Sequence, residues 1–168
     1  MTDSETKYAI RMILISTSLG GMSYLSFNNG LLLAYFSYLG IPSATILILL
    51  ALLPLSQFVF MIPFSYLSDI YGKKLIGNFG MVFSIIGFFI IMIAGIFPNY
   101  FRTGVVGLGA GIFGTGSALI IGNWFALLHP IIPENVRGRF FGRLRLTWQS
   151  IGIAFTLVVI YILEQYPT

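Results

Sequence analysis

The stretch SATILILLALLPLSQFVFMIPFSYL, Ser43–Leu67, contains no charged residue. A helix needs about 20 mostly apolar residues to cross the hydrocarbon core of a bilayer, and this run supplies them. Its apolar residues are continuous and do not alternate with polar ones, which favours a helix over the ten-residue alternations of a membrane β-barrel. Outward from it, four more stretches read the same way. The first runs from about Tyr8 to Tyr38, interrupted only by Asn28 and Asn29, and ends before Gly40-Ile41-Pro42. The others run from about Leu75 to Phe97, Thr103 to Leu128 and Leu146 to Leu163. Pro98-Asn99 and His129-Pro130 are turn signals between them.

The whole chain agrees with that reading. Of 168 residues, 57% are hydrophobic and only 8% are charged, with a mean hydropathy of +0.94. A soluble domain carries about 25% charged residues to solvate its surface. An ordinary soluble enzyme and a disordered tail are both excluded. There is no cysteine and one histidine, His129, so neither a disulfide framework nor a thiolate or histidine metal site is expected. A net charge of +4 on so apolar a chain points to lipid and not to nucleic acid. The expected fold is an all-α membrane protein, a five-helix transmembrane bundle with short up-and-down connections forming one domain over residues 1–168. Lys7 and Arg11 before an apolar run also fit a signal peptide, but the run is too long and no small-residue cleavage site follows it.

Charge sets the orientation. Lys and Arg accumulate in cytoplasmic loops. Lys7, Arg11, Lys73, Lys74, Arg137, Arg139, Arg143 and Arg145 fall on one side of the alternating spans, and Arg102 alone falls on the other. The N-terminus is expected inside and the C-terminus outside.

The connection after the second span reads Ser65-Tyr66-Leu67-Ser68-Asp69-Ile70-Tyr71-Gly72-Lys73-Lys74. Asp69 can meet a helix N-terminus or a lysine, and Gly72 permits a tight reversal. Lys73 and Lys74 can reach anionic headgroups or Asp69. A solvated turn that merely obeys the topology rule is the plain alternative. This segment resembles the cytoplasmic signature of the major facilitator superfamily, Gly-x-Leu-x-Asp-Arg-x-Gly-Arg-Lys/Arg. Leu67, Asp69, Gly72 and Lys74 match it, with Lys73 a like-charged replacement; Ser65 and Ile70 depart from it. Pro133–Gly142 is similar to the family's connection before the fifth helix. The resemblance implies most of the N-terminal six-helix half of a secondary transporter, stopping after its fifth helix. It also implies a complementary C-terminal half or partner subunit, and a loop that latches one access state. The fifth span lacks the Gly-Pro motif of drug/proton antiporters.

The spans hold essentially no charge, no paired carboxylates and no His-Glu-x-x-His or Ser-His-Asp set, so no enzyme and no cofactor is expected. Neutral polar residues remain. Asn28 would share a face with Tyr24, Leu31 and Tyr35; in the fifth span Gln149, Gly152, Ile153 and Thr156 share one, with Trp148 beside it. Together with Gln57 and Asn123, the residues Tyr24, Asn28 and Gln149 are candidate cavity lining for a small neutral or amphiphilic organic solute. Interhelical hydrogen bonding, worth about 0.6–2 kcal/mol per contact, is their competing role. Gly107 and Gly111 form a small-xxx-small pair for helix packing. Transport by alternating access and a non-transporting membrane interaction subunit, or orphan transporter fragment, are the two functions the sequence supports. A bacterial plasma membrane is the expected location.

The orientation is directly testable because the chain lacks cysteine. Single cysteines placed beside Pro42 and Pro98 should react with an impermeant thiol reagent on sealed cells. Those beside Gly72 and Gly138 should react only after permeabilisation, and equal labelling of both sets would refute the assignment.

Overall fold

The computed structural model describes residues 3–28, 30–128, 132 and 134–165. They are helical nearly throughout: α1 (Asp3–Asn28), α2 (Leu31–Tyr38), α3 (Ser43–Tyr71), α4 (Lys73–Ile93), a 3-10 turn (Ala94–Ile96), α5 (Asn99–Leu128) and α6 (Glu134–Gln165). No water is available in a bilayer core to bond a free N–H or C=O, so the helix, which satisfies them within one segment, is the natural state of such apolar runs. Among the described residues, four helices are long and apolar enough to cross a membrane: α3, α4 with its 3-10 extension, α5, and α6 from Val136 to Ile162. The protein is all-α, with several long apolar helices consistent with a multi-span membrane bundle.

The expected first span, Tyr8 to Tyr38, is not one helix. It divides at Gly30, whose φ of +77° belongs to glycine and stops the helix there. The longer piece, α1, opens with Asp3, Glu5, Lys7 and Arg11 and continues through a region rich in Ser and Gly. The division also ends the face expected to join Asn28 to Leu31 and Tyr35, because helical periodicity does not carry across the break.

The chain forms two compact units, residues 1–32 with 128–168 and residues 33–127. In the first, α1 packs on α6. Trp148 lies over Gly21, its indole filling the space a β-carbon would need, and Leu25 meets Gly152 one turn further along both helices. Because both numbers rise together, α1 and α6 run parallel.

In the second unit α3, α4 and α5 pack mutually, and α5 is the most buried: 50% of its apolar window is buried against 22% for α4 and 17% for α3. Glycine explains how it fits. A β-carbon on Gly109 would come within 2.8 Å of the Gly87 carbonyl oxygen, and one on Gly80 within 2.9 Å of the Gly116 carbonyl oxygen. These helix backbones are therefore in direct contact, α4 and α5 running antiparallel. Toward α3, Gly107 meets Leu49, Gly114 meets Ser56 and Gly122 meets Ser65, so α3 and α5 run parallel. In lipid, helix association rests on this kind of close van der Waals contact, since the tails outside are as apolar as the helices. Ile91, Val106, Ala110 and Ala118 fill the interior at 0% exposure, while Phe58, Ile62, Ile85 and Phe89 face outward. Of the expected packing pair, Gly107 has an ordinary contact at 3.4 Å and Gly111 faces open space.

This geometry orders the glycines. Gly87→Ala should lower the thermal stability of the protein in detergent by about 1–3 kcal/mol, the range for overpacking, because the Phe113 backbone stands in the way. Gly111→Ala should be neutral or slightly stabilising. Equal effects at the two positions would refute the seam.

Candidate functional site

The segment expected as a loop between the second and third spans is almost entirely helix. α3 continues to Tyr71 and α4 begins at Lys73, so Gly72 is the whole connection. Its φ of 96° and ψ of 131° suit glycine and would strain any residue with a β-carbon. The Gly72 N–H donates to the Ser68 carbonyl at 3.0 Å, closing α3, and its own carbonyl accepts from the Ile76 N–H at 3.2 Å, opening α4. One residue thus caps two helices. Ser68 is buried beneath the joint, and its hydroxyl donates to the Ser65 carbonyl at 2.8 Å.

The reversal brings Asp69 to Lys73. The Lys73 ammonium lies 3.6 Å from an Asp69 carboxylate oxygen, with side-chain exposures of 39% and 69%. An ion pair this open is worth about 0–1 kcal/mol, small enough to be made and broken readily. Lys74 is exposed and Leu67 half-buried.

The neutral polar residues divide between the two units. Tyr24 is half-buried on α1, and the Asn28 side chain lies outside the described residues. Gln149 is exposed on α6; the edge of that helix turned toward α1 carries Trp148 and Gly152 instead. In the second unit, Asn123 is 1% exposed, its amide nitrogen donating to the Leu119 carbonyl at 2.8 Å. The Asn123 Oδ1 acceptor and the Gln57 Nε2 donor are buried without a hydrogen-bond partner among the described residues. They do not converge. Gly114 lies opposite Ser56, which sets Gln57 level with Thr115, so Asn123 stands about 12 Å further along the axis at 1.5 Å per residue. Asn123 is at the level of Ser65, close to the Gly72 end, and Gln57 is nearer the middle of the helices.

No family model matches the chain, and neither the curated proteins nor the solved structures contain a match. Composition and architecture therefore carry the description to a multi-helix, largely hydrophobic protein of membrane type.

At the other end of the second unit, the sequence underrated Arg102. Its Nε donates to the Phe97 carbonyl at 3.0 Å, one terminal nitrogen to the Leu39 carbonyl at 3.2 Å and the other to the Gly95 carbonyl at 3.4 Å. Tyr35 is nearby in the same unit, its hydroxyl donating to the Met92 carbonyl at 2.9 Å. The available signal was Arg102's isolation from every other cation, which gave a side of the membrane and no partner.

Substitution separates the joint's backbone from its charges. Gly72→Ala should destabilise the protein by about 1–3 kcal/mol through backbone strain, whereas Asp69→Asn should cost less than about 1 kcal/mol. Thermal unfolding in detergent micelles measures both, and the reverse order would contradict the assigned roles.

Proposed function

We propose that this chain is the membrane-embedded helical part of a major facilitator-type secondary transporter, moving a small organic solute by alternating access, and that it has no enzymatic role. The observation that carries the reading is the joint of α3 and α4, where Leu67, Asp69, Gly72, Lys73 and Lys74 coincide with the signature they resemble. Asp69 and Lys73 face each other across a single residue there. A marginal ion pair at a rigid reversal suits a latch, because a few kcal/mol of differential binding is enough to shift two access states. The parallel course of α1 with α6, and of α3 with α5 against α4, also accords with consecutive crossings in alternate directions. With the amides of Gln57 and Asn123, each holding a buried atom without a partner, and no charged group beside them in the middle of α3 and α5, the cargo is a neutral or amphiphilic solute. The path would be completed by a complementary half or partner subunit, in a bacterial inner membrane.

A second reading has its own observation. Two buried amide atoms without a partner, Gln57 Nε2 and Asn123 Oδ1, set far apart along one bundle suit hydrogen bonds to separate helices of a partner, as in a non-transporting interaction subunit.

Reconstitution distinguishes them. In proteoliposomes holding this chain with a complementary half, a broad solute panel should reveal solute-dependent flux. Asp69→Asn should reduce it by about tenfold, within the usual range of conformational coupling, without loss of assembly. Asn123→Leu should likewise abolish flux with assembly intact. Loss of assembly in Asn123→Leu, or no flux for any solute in an assembled pair, would favour the interaction subunit instead.

A further inference from the structure

We propose that Arg102 is a conformational tie-bar, one guanidinium that caps the carboxyl ends of two helices and makes the α2–α3 turn and the α4–α5 connection move as one body. The inference stands apart from transport and concerns only the second unit. The three carbonyls that Arg102 holds share one property. Leu39 follows the last residue of α2, Gly95 lies in the 3-10 turn that ends α4, and Phe97 is the extended residue after it. The last carbonyls of a helix have no N–H ahead of them and collect the negative end of its dipole. In these two turns the backbone N–H groups of Leu39, Gly40, Ile41 and Phe97 donate to the carbonyls of Tyr35, Ser37, Phe36 and Ala94, and the carbonyls of Leu39, Gly95 and Phe97 accept from the guanidinium.

The planar fork of arginine fits three such acceptors at once, which the ammonium of a lysine on one stem cannot span. Asp69, the acid of this unit, sits roughly 40 Å away at the far end of α3 by helical rise, so backbone dipoles are what Arg102 has for partners. Its two targets are the places where this end would otherwise bend: Gly40, with a φ of +76°, follows Leu39, and Gly95 is itself a target. Bonded to both, the arginine closes them into one structure, and its isolation among the cations follows from this use.

Amide hydrogen exchange in lipid nanodiscs tests the tie-bar. In Arg102→Gln, exchange in residues 39–41 and 94–97 should rise together by about tenfold or more, the scale of a hydrogen bond to a charged group. Residues 109–116, within the glycine seam, should stay at wild-type rates. Arg102→Lys, which keeps the charge without the fork, should loosen both segments with the seam intact. It also carries the test if the glutamine variant fails to fold. A β-carbon on Gly95 would lie 3.5 Å from the Leu39 side chain. A short thiol cross-linker between Leu39→Cys and Gly95→Cys should therefore restore slow exchange to the Arg102→Lys background. Wild-type rates in both segments of Arg102→Lys, a rise in only one of them, or failure of the cross-link to restore them would overturn the proposal.

Discussion

Gly87 and Gly109 stand so close that neither can carry a side chain, and the arrangement of the second unit depends on that contact. In water, a helix with as much glycine as α5 would be weak, by about 1 kcal/mol per glycine relative to alanine. In a bilayer the alternative to the helix is a set of unbonded backbone groups, so the penalty loses its force and glycine becomes an asset. Removing the β-carbons brings the peptide dipoles and Cα atoms of α4 and α5 into van der Waals contact over Gly80, Gly87, Gly109 and Gly116. The same helix offers Gly107, Gly114 and Gly122 to α3. Two different faces of α5 are therefore small, which is why its apolar residues show no single sided pattern and why it is the most buried of the spans.

Long uncharged runs made the all-α membrane character legible from composition, and the ends of α4 and α5 fell near the expected turns. Their partners were not legible. Gly107-x-x-x-Gly111 satisfied the small-xxx-small spacing, yet Gly111 faces open space while Gly109, between them, makes the backbone contact. In a helix with a glycine every two or three residues, every face satisfies the pattern, so spacing alone cannot choose one. The seam became identifiable only with the opposing glycines of α4. The first span failed for a related reason: hydropathy is nearly blind to one residue in a positive φ, so Asn28-Asn29 read as a polar interruption of one span while the division made at Gly30 went unseen.

The candidate site was partly readable. The segment could be recognised as a connection because Asp69, Gly72 and Lys73 lie within five positions of one another, and adjacency is what a sequence displays. What it did not display is that the supposed loop is one residue long. Helical ends at Tyr71 and Lys73 hold Asp69 and Lys73 on a fixed frame, where a loop would leave them free. Gln57 and Asn123 were readable as polar residues in apolar helices. That they lie at different depths followed only from the parallel register of α3 and α5, a relation between residues more than fifty positions apart.

The two ends of the second unit use charge in opposite ways. At the Gly72 end, Asp69 and Lys73 are open to solvent and paired through a separation of 3.6 Å, so water and salt compete with the bond and its strength is marginal. At the other end, Arg102 is half-buried and bonded to three carbonyls fixed by helices that already exist. Two of these bonds are exposed, so the strength of the contact comes from three acceptors on one planar group, none of which needs further ordering. A weak, exchangeable contact where two helices meet in one residue, set against a strong, multiply bonded one where two connections meet in one side chain, makes the Gly72 end the easier one to rearrange. Any change of shape in this unit should then begin beside Asp69, with the Arg102 end carried along intact.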